Sequence, residues 1–309
     1  MTERRENLNL IQRAAMRLGS PAEIAAPTEL EAEPAAMPAP TPLRPVEAVP
    51  EPAADVSRPR RKQGTGDVSS RVSIDMNRLR LAGMITPDNM SSALSNEFRA
   101  IKRQLLAKAR NPEDGVLERN LILVTSALPN EGKTFSALNL AISLAAERDL
   151  HVLLIDGDVV RPSVGPLLGL PAGKGLISLL TDQDQQISDV MLRCEQIPNL
   201  SIMLAGPAAM NSPELLASQR MATILDDLAT RYHDRMVIID APPILVSPES
   251  AVLAVRVHQL LMVVEAESTE RAQVQRALES VTSCPDISLI LNKAPRWRQG
   301  NSRSYYYTA

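Results

Sequence analysis

Aromatic residues are scarce in this chain of 309 residues: they make up 2% of it, as one tryptophan, two phenylalanines and four tyrosines. Cysteine is nearly absent as well, since only Cys194 and Cys284 occur, far apart and with no histidine cluster beside them. This spacing disfavours a zinc site and a disulfide framework. We expect both residues to be reduced thiols in a cytoplasmic protein.

A large net charge and long apolar runs are also missing. The formal net charge is -3, so composition gives no support to a nucleic-acid-binding surface of clustered basic residues. No run of about 18 apolar residues occurs, and residues 1–20 lack the apolar core of a secretory signal. We therefore expect a cytoplasmic protein without a nucleic-acid partner, and a peripheral membrane partner stays open.

Changes in composition along the chain predict four segments. Residues 1–20 fit an amphipathic helix, which either docks on a partner or an anionic membrane or stays solvated. Residues 21–72 are rich in proline, alanine and glutamate, and they are predicted to form a disordered linker because they cannot bury enough apolar surface. Residues 73–293 carry the patterns of an ordered domain, and residues 294–309 form a flexible tail.

Nearly continuous apolar runs alternate with helical patterns in the ordered segment. Such runs predict buried parallel strands with helices on both faces of the sheet. The sequence therefore predicts an α/β fold with a mostly parallel sheet, in which ligands bind beyond the carboxyl ends of the strands. The predicted strands are 120–126, 151–158, 200–206, 235–243, 259–266 and 287–293.

A phosphate-binding loop is predicted directly after the first strand. Residues 127–134 read ALPNEGKT and precede a helical pattern, which is the context that the phosphate-loop motif requires, although Ala127 replaces its first glycine. The loop amides would hold the phosphates of ATP, Lys133 would neutralise them and Thr134 would ligate Mg²⁺. The predicted nucleotide-binding residues of this stretch are Pro129, Asn130, Glu131, Gly132, Lys133, Thr134 and Phe135.

Aspartates end two of the predicted strands. Asp156 and Asp158 end the second strand, and Asp240 ends the fourth. An aspartate at such a position can simply cap the next helix. Beside a phosphate loop, however, the carboxylates are better interpreted as part of a site for Mg²⁺ and nucleotide, because Mg²⁺ prefers oxygen ligands. The predicted metal ligands are Thr134, Asp156 and Asp240.

Several motifs together indicate a family. SALPNEGKT, LLIDGDVVRPSV and VIIDAPPILVSPES occur in this order, and LAGPAAMNSPELLAS occupies 204–218. With these motifs the chain resembles the bacterial tyrosine autokinases of exopolysaccharide synthesis, which have a P-loop NTPase fold. The stretch SNEFRAIKRQLL, 95–106, is similar to the version found beside exosortase-type secretion loci. Leu128 stands where partitioning ATPases carry a second lysine.

The resemblance implies a protein tyrosine kinase that uses ATP and Mg²⁺ to phosphorylate its own terminal tyrosines. It also implies that Lys133, Asp156 and Asp158 are catalytic, with Asp156 accepting the tyrosine proton. The implied partners are further subunits in a ring, a membrane-embedded polysaccharide co-polymerase that activates the kinase at the inner membrane, and a tyrosine phosphatase. The implied phosphate acceptors are Tyr305, Tyr306 and Tyr307.

The chain departs from the family pattern at two motifs. Val160 stands where an arginine usually follows the second acidic motif, and Arg161 comes one position later. Asn96, Arg99 and Lys102 occupy the positions of the ring-forming helix motif. Arg99 and Lys102 either contact a neighbouring subunit or the nucleotide, or they lie on a solvated helix face.

The residues that follow the last strand have two interpretations. Asn292 and Lys293 stand where similar ATPases contact the adenine, but both could equally be polar residues without a role. The function of the whole chain also has competing interpretations. Besides a tyrosine kinase, it could be a nucleotide-gated scaffold with little phosphotransfer, or a partitioning-type ATPase, similar to ParA and MinD, that hydrolyses ATP on a surface.

Overall fold

The computed structural model describes residues 70–110, 117, 119–209, 211–231 and 234–295. The predicted N-terminal helix, the linker up to residue 69 and the tail from residue 296 lie outside the described residues. Residues 71 and 72, predicted to end the disordered linker, instead form the first described strand, because their main chain pairs with Arg193 and Cys194.

An eight-stranded sheet forms the centre of the described part, in the order β1-β4-β5-β3-β6-β2-β7-β8. Neighbouring strands are parallel except for β4 and β5, which pair antiparallel. The predicted α/β fold with a mostly parallel sheet is therefore confirmed. The strands are β1 Arg71–Val72, β2 Leu121–Ser126, β3 His151–Asp156, β4 Met191–Cys194, β5 Leu200–Met203, β6 Arg235–Asp240, β7 Gln259–Glu265 and β8 Ile287–Asn292.

Helices and the central strands bury two apolar layers, one on each face of the sheet. Side chains alternate along β2, so that Ile122 and Val124 enter one layer while Leu121 and Leu123 enter the other. The helices within the described residues are α1 Met76–Leu81, α2 Ala93–Ala109, α3 Lys133–Ala145, α4 Val164–Leu168, α5 Leu176–Thr181, α6 Ile187–Val190, α7 Ser212–Leu216, α8 Gln219–Arg231, α9 Glu249–Ala254 and α10 Arg271–Glu279.

Helix α2 carries the motif that the resemblance associates with ring formation. Lys102 is 7% exposed. Its Nζ lies 2.6 Å from Glu147 Oε1 and donates a hydrogen bond of 2.8 Å to the carbonyl of Ser143. The expectation that Lys102 lies on a solvated face, or contacts a neighbouring subunit or the nucleotide, is therefore wrong. The reason is that α2 packs against α3, whose last carbonyls lack intrahelical partners and attract a cation.

Arg99, one turn earlier on α2, also bonds within the chain. It donates hydrogen bonds of 2.6 Å to the carbonyl of Met90 and 3.0 Å to Asn96 Oδ1.

Among the described helices, none is long and apolar enough to cross a lipid bilayer.

Candidate functional site

The site lies at the carboxyl ends of three adjacent strands, β3, β6 and β2. Asp156 and Asp240 are paired in register across β3 and β6, and Val124 of β2 is paired with Asp240. The sheet therefore brings the aspartates, which are 84 residues apart in sequence (240 − 156), to the edge from which the phosphate loop departs.

The phosphate loop turns into helix α3 through a left-handed glycine. Gly132 precedes the helix with φ of 97°, and Asn130 also has a positive φ, of 66°. A Cβ on Gly132 would clash with Asn292 Nδ2. Glycine is thus required both for the backbone angle and for the close approach of β8. The resulting turn leaves the first N–H groups of α3 without intrahelical partners, which suits an anion.

Lys133 and Thr134, the first residues of α3, connect the loop to two of the aspartates. Lys133 Nζ lies 2.9 Å from Asp158 Oδ2 in a largely buried ion pair. The Thr134 hydroxyl donates a hydrogen bond of 2.6 Å to Asp240 Oδ2 and shares another, of 2.9 Å, with Ser163 Oγ. The predicted lysine, threonine and carboxylates therefore form one contiguous cluster.

Asp156 is held by the turn that begins helix α4. Its Oδ2 accepts hydrogen bonds from the main-chain N–H groups of Ser163, at 3.1 Å, and Val164, at 3.0 Å. Its Oδ1 is buried and has no hydrogen-bond partner among the described residues, and the same is true of Asp240 Oδ1. Two buried carboxylate oxygens are thus left for groups other than the described residues.

The protonation of the cluster reflects burial and an excess of carboxylates. Burial, with the charge of Asp240 beside it, raises the pKa of Asp156 to about 7. Burial raises the pKa of Asp240 to about 6, although Lys133 and the Thr134 hydroxyl oppose the shift. For Lys133, burial lowers the pKa, but Asp240, Asp158 and Asp156 outweigh burial and raise it above its usual value. Three carboxylates thus surround one ammonium group, and this excess of negative charge favours the binding of a further cation.

Glu131, predicted to bind nucleotide, turns its carboxylate into the protein and is 1% exposed. Its Oε2 accepts the N–H of Leu128 at 2.6 Å. Its Oε1 accepts the hydroxyl of Thr269 and, at 3.3 Å, the N–H of Glu265. The side chain therefore braces the loop against the end of β7.

Asn292 and Lys293, at the end of β8, also contact the phosphate loop. Asn292 Nδ2 donates a hydrogen bond of 2.8 Å to the carbonyl of Glu131. Lys293 Nζ donates one of 2.7 Å to the carbonyl of Asn130 and lies 2.9 Å from Glu265 Oε2. Both side chains thus bond the loop that is predicted to hold the phosphates, and their contact with the adenine stays a prediction.

A cavity of about 790 Å³ opens over the loop, a size typical of small-molecule sites. The displaced Arg161 lines this cavity, while its main-chain N–H donates a hydrogen bond of 3.0 Å to Asp158 Oδ1. Of the predicted site residues, those that line the cavity are Pro129, Asn130, Gly132, Lys133, Thr134, Phe135 and Asp158.

Sequence reasoning missed three contributors to the site: Ser163, Glu265 and Thr269. Ser163 bonds both Asp156 and Thr134, while the N–H of Glu265 and the hydroxyl of Thr269 donate to the carboxylate of Glu131 in the loop. Ser163 lies inside the motif LLIDGDVVRPSV, and its position there is the signal that could have identified it. No comparable signal marks Glu265 or Thr269.

The donor set is suited to Mg²⁺ rather than to a fully enclosed metal. Within the described ranges, no group of three or more histidine, cysteine, aspartate or glutamate residues could hold a metal ion. Mg²⁺ needs no such cage, since it keeps waters and takes one or two carboxylates together with substrate phosphates. The Thr134 hydroxyl and the free oxygens of Asp156 and Asp240 provide such a partial set.

Comparison with known sequences finds tyrosine kinases, whereas no family model matches the chain. The chain is 30% identical over 222 residues to the putative tyrosine-protein kinase CapB of Staphylococcus aureus, in an alignment that covers 71% of this chain and 92% of CapB. It is 31% identical over 202 residues to the tyrosine-protein kinase YwqD of Bacillus subtilis (strain 168), covering 64% of this chain and 80% of YwqD.

Solved structures agree with the sequence relatives. The kinase domain of the Escherichia coli tyrosine kinase ETK matches with a TM-score of 0.61 and 26% identity, over 72% of this chain and 84% of that domain. The chimerical protein CapA2B2 matches with a TM-score of 0.57 and 27% identity, over 70% of this chain and 91% of its own. The chain belongs to the bacterial tyrosine kinases of exopolysaccharide biosynthesis, and it is a protein tyrosine kinase with a P-loop NTPase fold.

Proposed function

We propose that this kinase transfers the γ-phosphoryl group of ATP to its own terminal tyrosines, Tyr305, Tyr306 and Tyr307. The observation that carries the proposal is the buried cluster beyond the phosphate loop, in which Lys133 pairs with Asp158 and Thr134 with Asp240. In phosphoryl transfer the protein acts mainly by positioning groups and stabilising charge, and this cluster provides both.

The nucleotide would lie in the large cavity with its phosphates at the start of α3. The amides of the loop point at the phosphates, and Lys133 neutralises their outer charge. Among the described residues the Asn292 side chain makes one hydrogen bond, to the loop carbonyl, so its second amide hydrogen and its oxygen would be available to the adenine. Asp158 keeps Lys133 in place beside the phosphates.

Mg²⁺ fits the residues that surround the free carboxylate oxygens. Thr134 and Asp240 would hold the ion, through the hydroxyl and the free carboxylate oxygen, and the negative charge of the neighbouring Asp156 in the free protein supports this assignment. When bound, Mg²⁺ neutralises charge on the phosphate oxygens. Asp158 supports the shell through Lys133.

Asp156 would accept the proton of the attacking phenol. In the reaction the tyrosine oxygen forms a bond to the γ-phosphorus, the bond from that phosphorus to the bridging oxygen breaks, and ADP leaves. A carboxylate is a weak base for a phenol with a pKa of about 10. The loose transition state allows the proton to leave late, and burial has already raised the basicity of Asp156.

The tail is long enough for the reaction. From Asn292 to Tyr305 the chain has 13 residues (305 − 292), which span up to roughly 45 Å when extended. A tyrosine can therefore reach the site of its own chain or that of a neighbour. From the family resemblance we further propose that transfer takes place between subunits of a ring, and that a tyrosine phosphatase reverses it. A membrane-embedded polysaccharide co-polymerase would activate the kinase and hold it at the cytoplasmic side of the inner membrane.

The test follows the γ-phosphate. The purified chain is incubated with Mg²⁺ and γ-labelled ATP, and label is measured on protein tyrosine, as free phosphate and in remaining ATP. We expect label on Tyr305, Tyr306 or Tyr307, and none in the variant with phenylalanine at all three positions. Label released only as phosphate would favour a partitioning-type ATPase, and label retained in ATP would favour a scaffold.

A second measurement allows for the case in which the kinase is active only with its partner. Phosphosites are mapped by mass spectrometry on the chain isolated from its native host, and Lys133→Met serves as the inactive control. Three unmodified tail tyrosines in the wild-type chain from both sources would refute the proposal.

A further inference from the structure

We propose that a second, smaller cavity beside Asp156 receives the aromatic ring of the tyrosine that is to be phosphorylated. This inference rests on the function proposed above and assigns a place to its acceptor. The cavity has a volume of about 160 Å³, and Asp156, Leu170 and Leu204 are among its lining residues.

The size and chemistry of this acceptor cavity match a phenol. A dry cavity of about 150 Å³ lined by aliphatic side chains is known to hold benzene. Here the walls are made mainly of leucine, proline, alanine and glycine, and no lysine, arginine or histidine lines them. The cavity therefore does not suit a phosphate group. Its charged lining residue is Asp156, whose carboxylate accepts hydrogen bonds and so matches a hydroxyl donor.

The acceptor cavity adjoins the nucleotide cavity where a phosphoryl acceptor is needed. Pro162 and Pro166 line both cavities. Between these prolines lie Ser163 and Val164, whose N–H groups hold Asp156 Oδ2. The other oxygen of Asp156, buried and without a partner among the described residues, is left to bond the phenolic hydroxyl. Ser163 connects this point to Thr134, where the phosphate loop ends and α3 begins.

The walls of the acceptor cavity are held by main-chain hydrogen bonds. The carbonyls of Leu204 and Ala205 accept the N–H groups of Leu176 and Ile177 at 2.8 and 2.9 Å. Among the other lining residues, Leu170 N–H donates to the carbonyl of Gly165 at 2.9 Å. A cavity fixed in this way can receive a ring without first being ordered, which lowers the cost of binding.

The chain offers a position from which the acceptor cavity can be filled. A Cβ placed on Gly173 would lie 3.9 Å from Leu204 Cδ1, an ordinary contact, and Gly173 and Leu204 both line the cavity. Gly173→Leu therefore directs an aliphatic side chain into the space of the ring. Lys174→Leu adds the same side chain on the same loop at an exposed position outside the lining, and it is the matched control.

Both variants and the wild-type chain are assayed for nucleotide affinity, for ATP hydrolysis by water and for label on tyrosine. In Gly173→Leu we expect tyrosine labelling to fall about tenfold or more, while affinity and hydrolysis stay within about twofold, because only the acceptor is displaced. Lys174→Leu should match the wild type in all three. Unchanged labelling in Gly173→Leu, or an equal loss of nucleotide affinity, would overturn the inference.

A binding measurement separates this inference from the transfer reaction. N-acetyltyrosinamide is titrated into each chain by NMR in the presence of Mg²⁺ and a non-hydrolysable ATP analogue. It should bind the wild type and Lys174→Leu but not Gly173→Leu. Equal binding, or none, in wild type and Gly173→Leu would refute the acceptor cavity. If the probe binds as expected while no chain labels its tyrosines, the proposed function fails and the cavity stands.

Discussion

Replacing Asp156 by asparagine should stabilise the nucleotide-free protein at neutral and alkaline pH. In the folded chain the pKa of Asp156 is raised from 3.8 to about 7 by burial and by Asp240. At a pH between these two pKa values, Asp156 retains a proton in the folded state and releases it in the unfolded state. The contribution of Asp156 to stability is therefore fully present below pH 3.8 and is lost as the pH rises through about 7.

The size of the effect follows from the pKa difference. A shift of roughly 3 pH units at about 1.4 kcal/mol per unit gives a cost of about 4 kcal/mol when Asp156 is ionised in the folded state. Asparagine resembles the protonated carboxyl, and its carbonyl can still accept the N–H groups of Ser163 and Val164. The variant avoids the cost of ionisation, so its advantage over the wild type should grow to about that value by pH 8.

Urea denaturation of the full chain at pH 4.5 and pH 8, without nucleotide and with EDTA present, measures this difference. Asp184→Asn, which removes the same charge from an exposed loop position, serves as the control and should change stability little at either pH. An Asp156→Asn chain that gains no stability over the wild type between the two pH values would refute the reasoning.

Three further predictions concern the phosphate loop. Lys133→Met should lower affinity for Mg²⁺ and ATP about tenfold or more, since it removes a charge-assisted contact; unchanged affinity in a nucleotide titration would contradict the assignment. Gly132→Ala should cost about 1–3 kcal/mol in thermal unfolding because of its positive φ. Adding Asn292→Ala should recover part of that loss by removing the side chain with which the new Cβ clashes, and a fully additive double variant would argue against the clash. Glu131→Ala should cost about 1–3 kcal/mol by leaving the N–H groups of Leu128 and Glu265 without their acceptor, and an unchanged melting temperature would argue against the brace.

The central strands could be predicted from sequence because burial on both faces makes them continuously apolar. All six residues of β2 are buried, and so are all six of β6. Strand β1 has only two residues, and β4 places Arg193 in an exposed position, so neither carries that pattern. The predicted strands 151–158 and 235–243 were too long, because the observed strands end at Asp156 and Asp240, the first residues of the site.

The composition of the site was predictable, but the direction of several side chains was not. Strand ends and loop motifs indicated Lys133, Thr134 and the aspartates, because parallel strands present their carboxyl ends at one edge. The inward turn of Glu131 depends on Thr269, which lies 138 residues further along the chain. The burial of Lys102 depends on the end of α3. Such contacts between distant segments leave no periodic trace in a single sequence.

The bonds from the end of β8 to the phosphate loop set a boundary for deletion experiments. A truncation that retains residues up to Pro295 removes Tyr305 to Tyr307 and keeps the Lys293 amine on the carbonyl of Asn130. A truncation after Leu291 also removes the two side chains that clamp that loop. Loss of nucleotide binding in the shorter product would then report a damaged loop, and it would be misread as a requirement for the tyrosines.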